Sequence, residues 1–560
     1  MMLLRFVPAF TLLLLGAPII VGLAWTVLPA FGYFPAIGET GLTLEPWRVL
    51  FASPGFDRAL LLTLTTGIGT TVLALLAAIS FCAMTAHRPS VFRLRSALPP
   101  LLASPPSAMA LGFAFLIMPS GWLVRLVSPW ATGFDRPPIG LVTTQDALGL
   151  SLIAGLLVKE VPYLVLMILA ASSQVPVGRL LATACALGQR PATAWLKAVF
   201  PQVYAQIRLP VFAVLAFSLS VVDVALILAP GNPPPLAVLA TRWFSDYNLS
   251  LYFPAAAAAS LQLMLVVSGV LAWLVMEHLV AALGRNWIEG GGRSLWTQRL
   301  TEAVGATTVG LGALGLLSLG AMVLWSVAGS WRFPDALPEG WQLSMWRTQA
   351  DQIGGVARTT AVIGFASVAI AAVFTLACLE NEHRQELRPG VTALWLLYVP
   401  LLVPQIAFLF GVQVVLIRLG LDGTISAVVW THLVFVLPYV FLSLADPFRA
   451  LDPRYAASAA ALGAGKWRVF FVVKMPLLTR PILVACAVGF AVSIGQYLPT
   501  LFAGAGRIST LTTEAVTLSS GGDRRILGIY AVLQTGLPLL AYGFALWIPL
   551  LLFRERKGLA

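Results

Sequence analysis

The chain has 560 residues, of which 59% are hydrophobic and only 10% charged, with a formal net charge of +12. A soluble globular domain carries roughly a quarter charged residues, so a water-soluble fold is excluded. The charges sit in short clusters between apolar runs of a length that crosses a hydrocarbon core as helices, and no ten-residue alternation of the β-barrel kind is seen.

In chain order the apolar runs predict twelve spans. These are 7–29, 59–83, 98–118, 148–171, 209–229, 254–282, 303–329, 359–379, 391–416, 425–445, 480–502 and 526–553. The first follows Arg5 and runs to about Pro29; it is too long for a signal-peptide core and lacks a small-x-small cleavage site, so it reads as a span. Residues Trp122 to Trp130 read as an interfacial piece. With the N-terminus inside, Lys and Arg concentrate in the cytoplasmic segments, so the positive-inside rule puts both termini in the cytoplasm. The net positive charge is then topological and asks for no nucleic-acid partner.

Cys82, Cys185, Cys378 and Cys486 are isolated in apolar or small-residue segments, with no CxxC pair. They read as packing residues. His87, His278, His383 and His432 are scattered, so no metal site is expected.

The long basic segments after the fourth and tenth spans resemble each other. One reads Ala182-Thr-Ala-Cys-Ala-Leu-Gly188 and runs to Pro201; the other reads Ala457-Ser-Ala-Ala-Ala-Leu-Gly463 and runs to Pro476. Glycine and proline are 13 residues apart in each, and the copies lie 275 positions apart. Arg58 and Arg358 each open a span rich in Thr, Gly and small residues, and Leu101-Leu-Ala-Ser-Pro105 and Leu401-Leu-Val-Pro404 each begin the next. The chain therefore reads as a duplicated six-helix unit: residues 1–290, a linker 291–302, and residues 303–560. The first half carries extra residues at about 119–145. Internal repeats of this kind are common among transporters.

In each loop the small-residue run predicts a short helix that Gly188 or Gly463 ends with a positive φ. A second short helix follows, about Pro191 to Val199 and Lys466 to Val473. It is expected to face the cytosol with Arg190, Trp195, Lys197, Lys466, Trp467 and Arg468.

Each loop resembles the EAA loop of type I ABC importer permeases, E-A-A-x3-G-x9-I-x-L-P, here within 176–208 and 449–480. The fused arrangement is similar to permeases of thiamine and ferric-iron systems. The motif's positions fall on Ala182, Ala184, Gly188 and Pro201 in one copy and Ala457, Ala459, Gly463 and Pro476 in the other. The family's glutamate is replaced by Ala182 and Ala457. Its Ile and Leu positions hold Ala198 and Phe200, and Val473 and Met475. The resemblance implies an all-α integral membrane protein of about twelve transmembrane helices in the bacterial inner membrane, working with a periplasmic solute-binding protein. It also implies that the second short helix of each loop docks one of two copies of a cytoplasmic ATP-binding subunit.

No phosphate loop is present. Gly463-Ala-Gly-Lys466-Trp467 lacks the first glycine, which would fall at Ala460, and has Trp where Ser or Thr should hold magnesium. ATP and magnesium therefore belong to the partner, and the chain is expected to have no cofactor and no enzyme activity of its own.

Lys159 and Glu160 are adjacent within the fourth span and point about 100° apart, so they need not pair with each other. With a two-residue gap, Ala216 to Asp223 aligns with Gly489 to Gln496, matching Ser220 to Ser493 and Asp223 to Gln496. In the resembled family this span lines the translocation path, so these four residues are expected to border it. Intramembrane polar groups usually face a bundle interior or a wet cavity. The competing reading is an ion-coupled secondary transporter of twelve spans. Against it, His87-Arg-Pro-Ser-Val-Phe-Arg-Leu-Arg95 lacks the Gly-Asp-Arg-rich signature of the major facilitators. The expected mechanism is alternating access, in which closure of the ATP-binding subunits tilts the two halves.

Overall fold

The computed structural model describes residues 2–86, 98–387 and 390–554. The loop His87–Arg95 lies outside the described residues. Helices account for nearly all regular structure; among the described residues the β-bridges are two isolated pairs, Phe34 with Glu39 and Ala328 with Trp341.

The first part of the chain runs α1 (Met2–Ala30), α2 (Glu45–Ala52), α3 (Phe56–Thr85), α4 (Leu98–Ala103), α5 (Pro106–Ile117), α6 (Trp122–Leu126), α7 (Leu150–Ser172) and α8 (Val177–Ala186). It continues with α9 (Pro191–Ala194), α10 (Phe200–Ser220), α11 (Asp223–Leu228), α12 (Leu236–Phe244) and α13 (Tyr252–Glu289). The second part runs α14 (Leu295–Val327), α15 (Ser344–Thr348), α16 (Ala350–Arg384), α17 (Val391–Leu402), α18 (Gln405–Arg418) and α19 (Ile425–Arg449). It ends with α20 (Pro453–Ala461), α21 (Lys466–Arg468), α22 (Met475–Leu477), α23 (Thr479–Ile494), α24 (Leu498–Gly504), α25 (Leu511–Leu518) and α26 (Arg524–Leu552).

Among the described residues ten helices are long and apolar enough to cross a membrane, and two bent pairs bring the number to as many as twelve. The chain is an all-α, multi-pass integral membrane protein, as its composition predicts.

Four expected spans are broken rather than continuous. The run 98–118 is cut between α4 and α5 at Ser104-Pro105, and 391–416 is bent by 89° between α17 and α18 at Val403-Pro404. Residues before proline are pushed out of the α region, and proline has no amide to give the helix. Leu101-Leu-Ala-Ser-Pro105 and Leu401-Leu-Val-Pro404 therefore end half-helices instead of opening spans. The run 209–229 breaks at Val221, which is extended (ψ 135°), and 480–502 breaks between Ile494 and Leu498. The fifth helix also begins earlier than expected, because Pro191 to Ser220 is one helical run of 30 residues. Arg358 stands inside α16 rather than at its start, whereas Arg58 lies in the first turn of α3. The predicted linker 291–302 is largely helical, since α14 begins at Leu295.

The first helix of each part packs on the other part: α1 lies against α18 and α16, and α14 lies against α3 and α5. Two glycines permit these crossings. A Cβ on Gly411 in α18 would overlap the Gly22 carbonyl oxygen of α1, and a Cβ on Gly112 in α5 would overlap the Ser318 carbonyl oxygen of α14. Small residues that let backbones touch are the usual means of close helix packing in membranes. Thr26 Oγ1 adds a hydrogen bond from the Gly411 amide at 3.0 Å.

Candidate functional site

The two basic loops fold alike where the repeat is strongest. Gly188 has φ +85° and Gly463 has φ +81°. The Gly188 amide donates to Cys185 O at 2.9 Å and the Gln189 amide to Ala184 O at 3.0 Å. The Gly463 amide donates to Ala460 O at 2.9 Å and the Ala464 amide to Ala459 O at 3.0 Å. Both ends are Schellman turns, which close orphan carbonyls and favour glycine at the left-handed position. Neither α8 nor α20 has a buried residue. Ala182, Ala457, Gly188 and Gly463 are exposed, and Ala184 and Ala459 are half-buried. Pro201 is exposed and Pro476 half-buried, each early in the helical run that follows.

After the turns the copies differ. Lys466, Trp467 and Arg468 are exposed as expected. Trp195 and Lys197 are not, and Ala192, the counterpart of Trp467 at the 275-residue spacing, is fully buried against 54% exposure for Trp467. The expected cytosol-facing second helix is therefore corrected for the first copy. The segment after α13 covers it. Arg293 donates to Leu187 O at 2.8 Å, Gln189 Nε2 to Gly291 O at 3.2 Å, and Lys197 Nζ to Gly292 O at 3.1 Å. The Lys197 ammonium also stands 4.7 Å from the Trp287 ring centre, and Gln298 Oε1 accepts from the Ala192 amide at 3.0 Å. What both copies expose is the first short helix, α8 and α20.

The second loop is tied to its neighbour by charge. Glu380, near the end of α16, takes Lys474 Nζ on one oxygen and Arg384 Nε on the other, both at 2.7 Å. The Arg384 guanidinium lies 4.8 Å from the centre of the Trp467 ring. Arg449 grips Glu382 through two hydrogen bonds, at 2.7 and 3.0 Å. Sequence reasoning passed over Glu380; the signal was an acidic cluster, Glu380-Asn-Glu382, closing a span beside a basic loop.

The broken helices meet in the interior. A Cβ on Gly495 would stand 3.6 Å from Pro105 Cβ and from Pro106 Cδ, so the break before α24 adjoins the break before α5. Gln534 Nε2 donates to Ser107 Oγ at 2.7 Å and to Thr512 Oγ1 at 2.6 Å, and Thr512 in turn bonds Ile494 O. Gln405, which opens α18, bonds Gln496 at 3.4 Å. Asp223 is buried at the start of α11. Ser220 donates to Ala216 O at 2.6 Å. Ser493 is buried and meets His432 Nδ1 at 2.8 Å, while His432 Nε2 meets Thr500 Oγ1 at 2.9 Å. His432 thus spans the α23–α24 break, a role that its isolated place in the sequence did not announce. Asp223 and Gln496 stand at breaks; Ser220 and Ser493 stand on the helix ends just before them.

Lys159 closes the α4–α5 break. Its ammonium donates to the carbonyls of Leu101 at 3.2 Å, Leu102 at 2.9 Å and Ser104 at 2.6 Å, which the α4 C-terminus leaves unpaired. Its charge acts on the neighbouring Glu160, although among the described residues no ion pair within 4.0 Å joins the two.

No family model matches the chain. It is 34% identical over 521 residues to the inner membrane ABC transporter permease protein YnjC of Escherichia coli, covering 92% of this chain and 93% of that protein. The molybdenum transport system permease protein ModB of Azotobacter vinelandii is 31% identical over 98 residues, 18% of this chain and 43% of that protein. The ModB of Escherichia coli is 28% identical over 102 residues, 18% of this chain and 40% of that protein. A full-length likeness of this kind, on a fold of ten to twelve membrane helices, places the chain in the family of inner-membrane ABC transporter permeases.

Proposed function

We propose that this chain is the complete membrane pathway of an importer, built as two six-span halves in one polypeptide, each lending its first span to the other. A periplasmic solute-binding protein delivers a small solute, and two copies of a separate cytoplasmic subunit bind and hydrolyse ATP with magnesium. Both termini and both basic loops face the cytoplasm. The exposed helices α8 and α20 dock the ATP-binding subunits, one each. Closure of those subunits moves the two helices and tilts the halves, and the four helix breaks around Asp223 and Gln496 border the path.

The observation that carries this reading is the pair of exposed short helices ended by the same left-handed glycine turn, at Gly188 and Gly463. Two exposed helices that end in the same turn fit two copies of one partner. The first short helix is preferred for docking because it is exposed in both copies, whereas Ala192, Thr193 and Ala194 of the second are buried in the first copy.

Purification of the tagged chain from its native membrane in mild detergent tests this. The parent should bring down an ATP-binding subunit, and the double variant Gly188→Asp with Gly463→Asp should insert but lose it. Absence of an ATP-binding subunit from the parent, even after crosslinking, would sink the reading and raise that of an ion-coupled transporter.

A further inference from the structure

Ser120, between α5 and α6, gathers two arginines that are far apart in the chain. Arg125 of α6 donates through Nε to the Ser120 carbonyl at 3.0 Å. Arg524, the first residue of α26, donates to the same oxygen through Nη1 at 3.5 Å and to Ser120 Oγ through Nη2 at 2.8 Å. Both guanidiniums also meet the ring of Trp325, near the end of α14, at 5.8 and 5.3 Å from its centre. Gln298, which bonds the first basic loop, stands about 40 Å away along the same helix. The cluster therefore lies at the end of the bundle remote from the basic loops.

Two positive charges that share one carbonyl oxygen repel each other unless a negative charge joins them. Among the described residues neither arginine has an ion pair. Asp523 pairs with Arg525 instead. The exposed Asp335 acts on Arg125 by its charge, but it bonds Arg125 only through its backbone carbonyl, at 3.3 Å. That carbonyl and Arg332 O, at 2.7 Å, occupy Arg125 Nη1, and the Trp331 and Phe333 ring centres stand 4.9 and 5.4 Å from the guanidinium. The other donors lack acceptors. Arg125 Nη2 and Arg524 Nε make no hydrogen bond among the described residues, and Trp325 Nε1 is buried without a partner. Arg125 is 4% exposed and Trp325 7%, whereas Arg524 is half-buried and opens the cluster to the surface. Buried donors are nearly always bonded, so three idle ones around a single indole ring point to an absent acceptor. Several oxygens carrying negative charge would satisfy them together, with the strength that charge-assisted bonds have.

We propose that Arg125, Arg524 and Trp325 form a binding site for a small tetrahedral oxyanion, either a free ion or the phosphate of a lipid headgroup. The two guanidiniums neutralise the charge of the anion, and the indole N–H donates to one of its oxygens. Arg125 stands on α6 of the first part and Arg524 on α26 of the second, so the bound anion ties the two parts together at this end of the bundle.

The full chain in nanodiscs of zwitterionic phosphatidylcholine, titrated with sulfate against chloride at constant ionic strength, tests the site. The melting midpoint of the parent should rise and level off at low sulfate, and that of Arg524→Gln should not. Trp325→Phe keeps a ring but loses one donor, so it should need about tenfold more sulfate for half the effect. Should Arg524→Gln fail to insert, the comparison with Trp325→Phe decides alone. Nanodiscs containing phosphatidylglycerol separate the two sources of the anion. A parent midpoint raised by that lipid but not by sulfate, with no such rise in Arg524→Gln, assigns the oxyanion to a headgroup. Sulfate also stabilises proteins generally, by exclusion from their surfaces. An equal rise in the parent and the variants, or no response of a well-folded parent to sulfate or to the lipid, therefore overturns the site. None of these measurements involves the ATP-binding subunit, so the site and the importer reading fail separately.

Discussion

The Lys159 ammonium lies 2.6 Å from the Ser104 carbonyl oxygen and 2.9 Å from that of Leu102, so one half-buried lysine closes the end of a half-helix. The Leu101 carbonyl is a third acceptor at 3.2 Å. Helix ends leave carbonyls without partners, and inside a bilayer no water replaces them. Lys159→Met should therefore strand these groups and destabilise the fold by about 1–3 kcal/mol. A lower melting midpoint in detergent, partly restored in Lys159→Arg, is the expected outcome; an unchanged midpoint would mean that the cap is dispensable.

The crossing of α1 and α18 makes a second prediction. A Cβ at Gly411 would meet backbone atoms of Gly22, which cannot swing aside as a flexible side chain would. Gly411→Leu should fail to give a monodisperse peak in size-exclusion chromatography. Gly16→Leu, in the partner helix α1, meets open space and should give a parent-like peak. Equal behaviour of the two variants would argue against a close crossing.

The number of spans and the glycine turns were legible in the sequence, because both depend on local chemistry. Apolar length sets a span, and a small-residue helix followed by glycine sets a Schellman turn. The breaks were half legible. Pro105 and Pro404 were visible, but a proline near an expected boundary reads equally as a start or as an interruption. Val221 carries no breaking residue, so its extended backbone is a product of tertiary packing. Ala192 and Trp467 show the limit most clearly. They occupy the same place after the same turn, yet Ala192 is fully buried, its amide bonded by Gln298 of α14, while Trp467 is exposed. Such long-range asymmetry has no local signature.

Asp146 gives a pH-dependent prediction on the side opposite the basic loops. Burial opposes its ionisation, but Ser151 Oγ at 2.6 Å and the amides of Ser151 and Leu150, both at 2.8 Å, more than offset this and hold its carboxyl below the ordinary value. These bonds cap α7. A carboxyl depressed in the folded state adds stability that is present above its unfolded value, about 3.9, and is lost as pH falls through the lower folded value. Melting midpoints of parent and Asp146→Asn should differ at neutral pH and converge in acid below about pH 4. A constant difference across that range would exclude the linkage.

The charge cluster at the second loop is best tested as a cycle. Glu380 is almost fully buried between Lys474 and Arg384, and Lys474 is as buried as Glu380. Removing one member of a buried pair leaves the other charge uncompensated, at a cost of roughly 3–5 kcal/mol, whereas replacing both members with apolar groups is often close to neutral. Glu380→Leu alone should therefore lower the melting midpoint sharply, and so should Lys474→Met alone. The double variant Glu380→Leu with Lys474→Met should recover part of the loss, but not all of it, because Arg384 keeps its place beside Trp467 without its carboxylate. Strict additivity of the two single losses would show that the residues act independently. A recovered double variant that still inserts, yet recruits less ATP-binding subunit than the parent, would assign the ion pair to holding the second loop in its docking position as well as to stability.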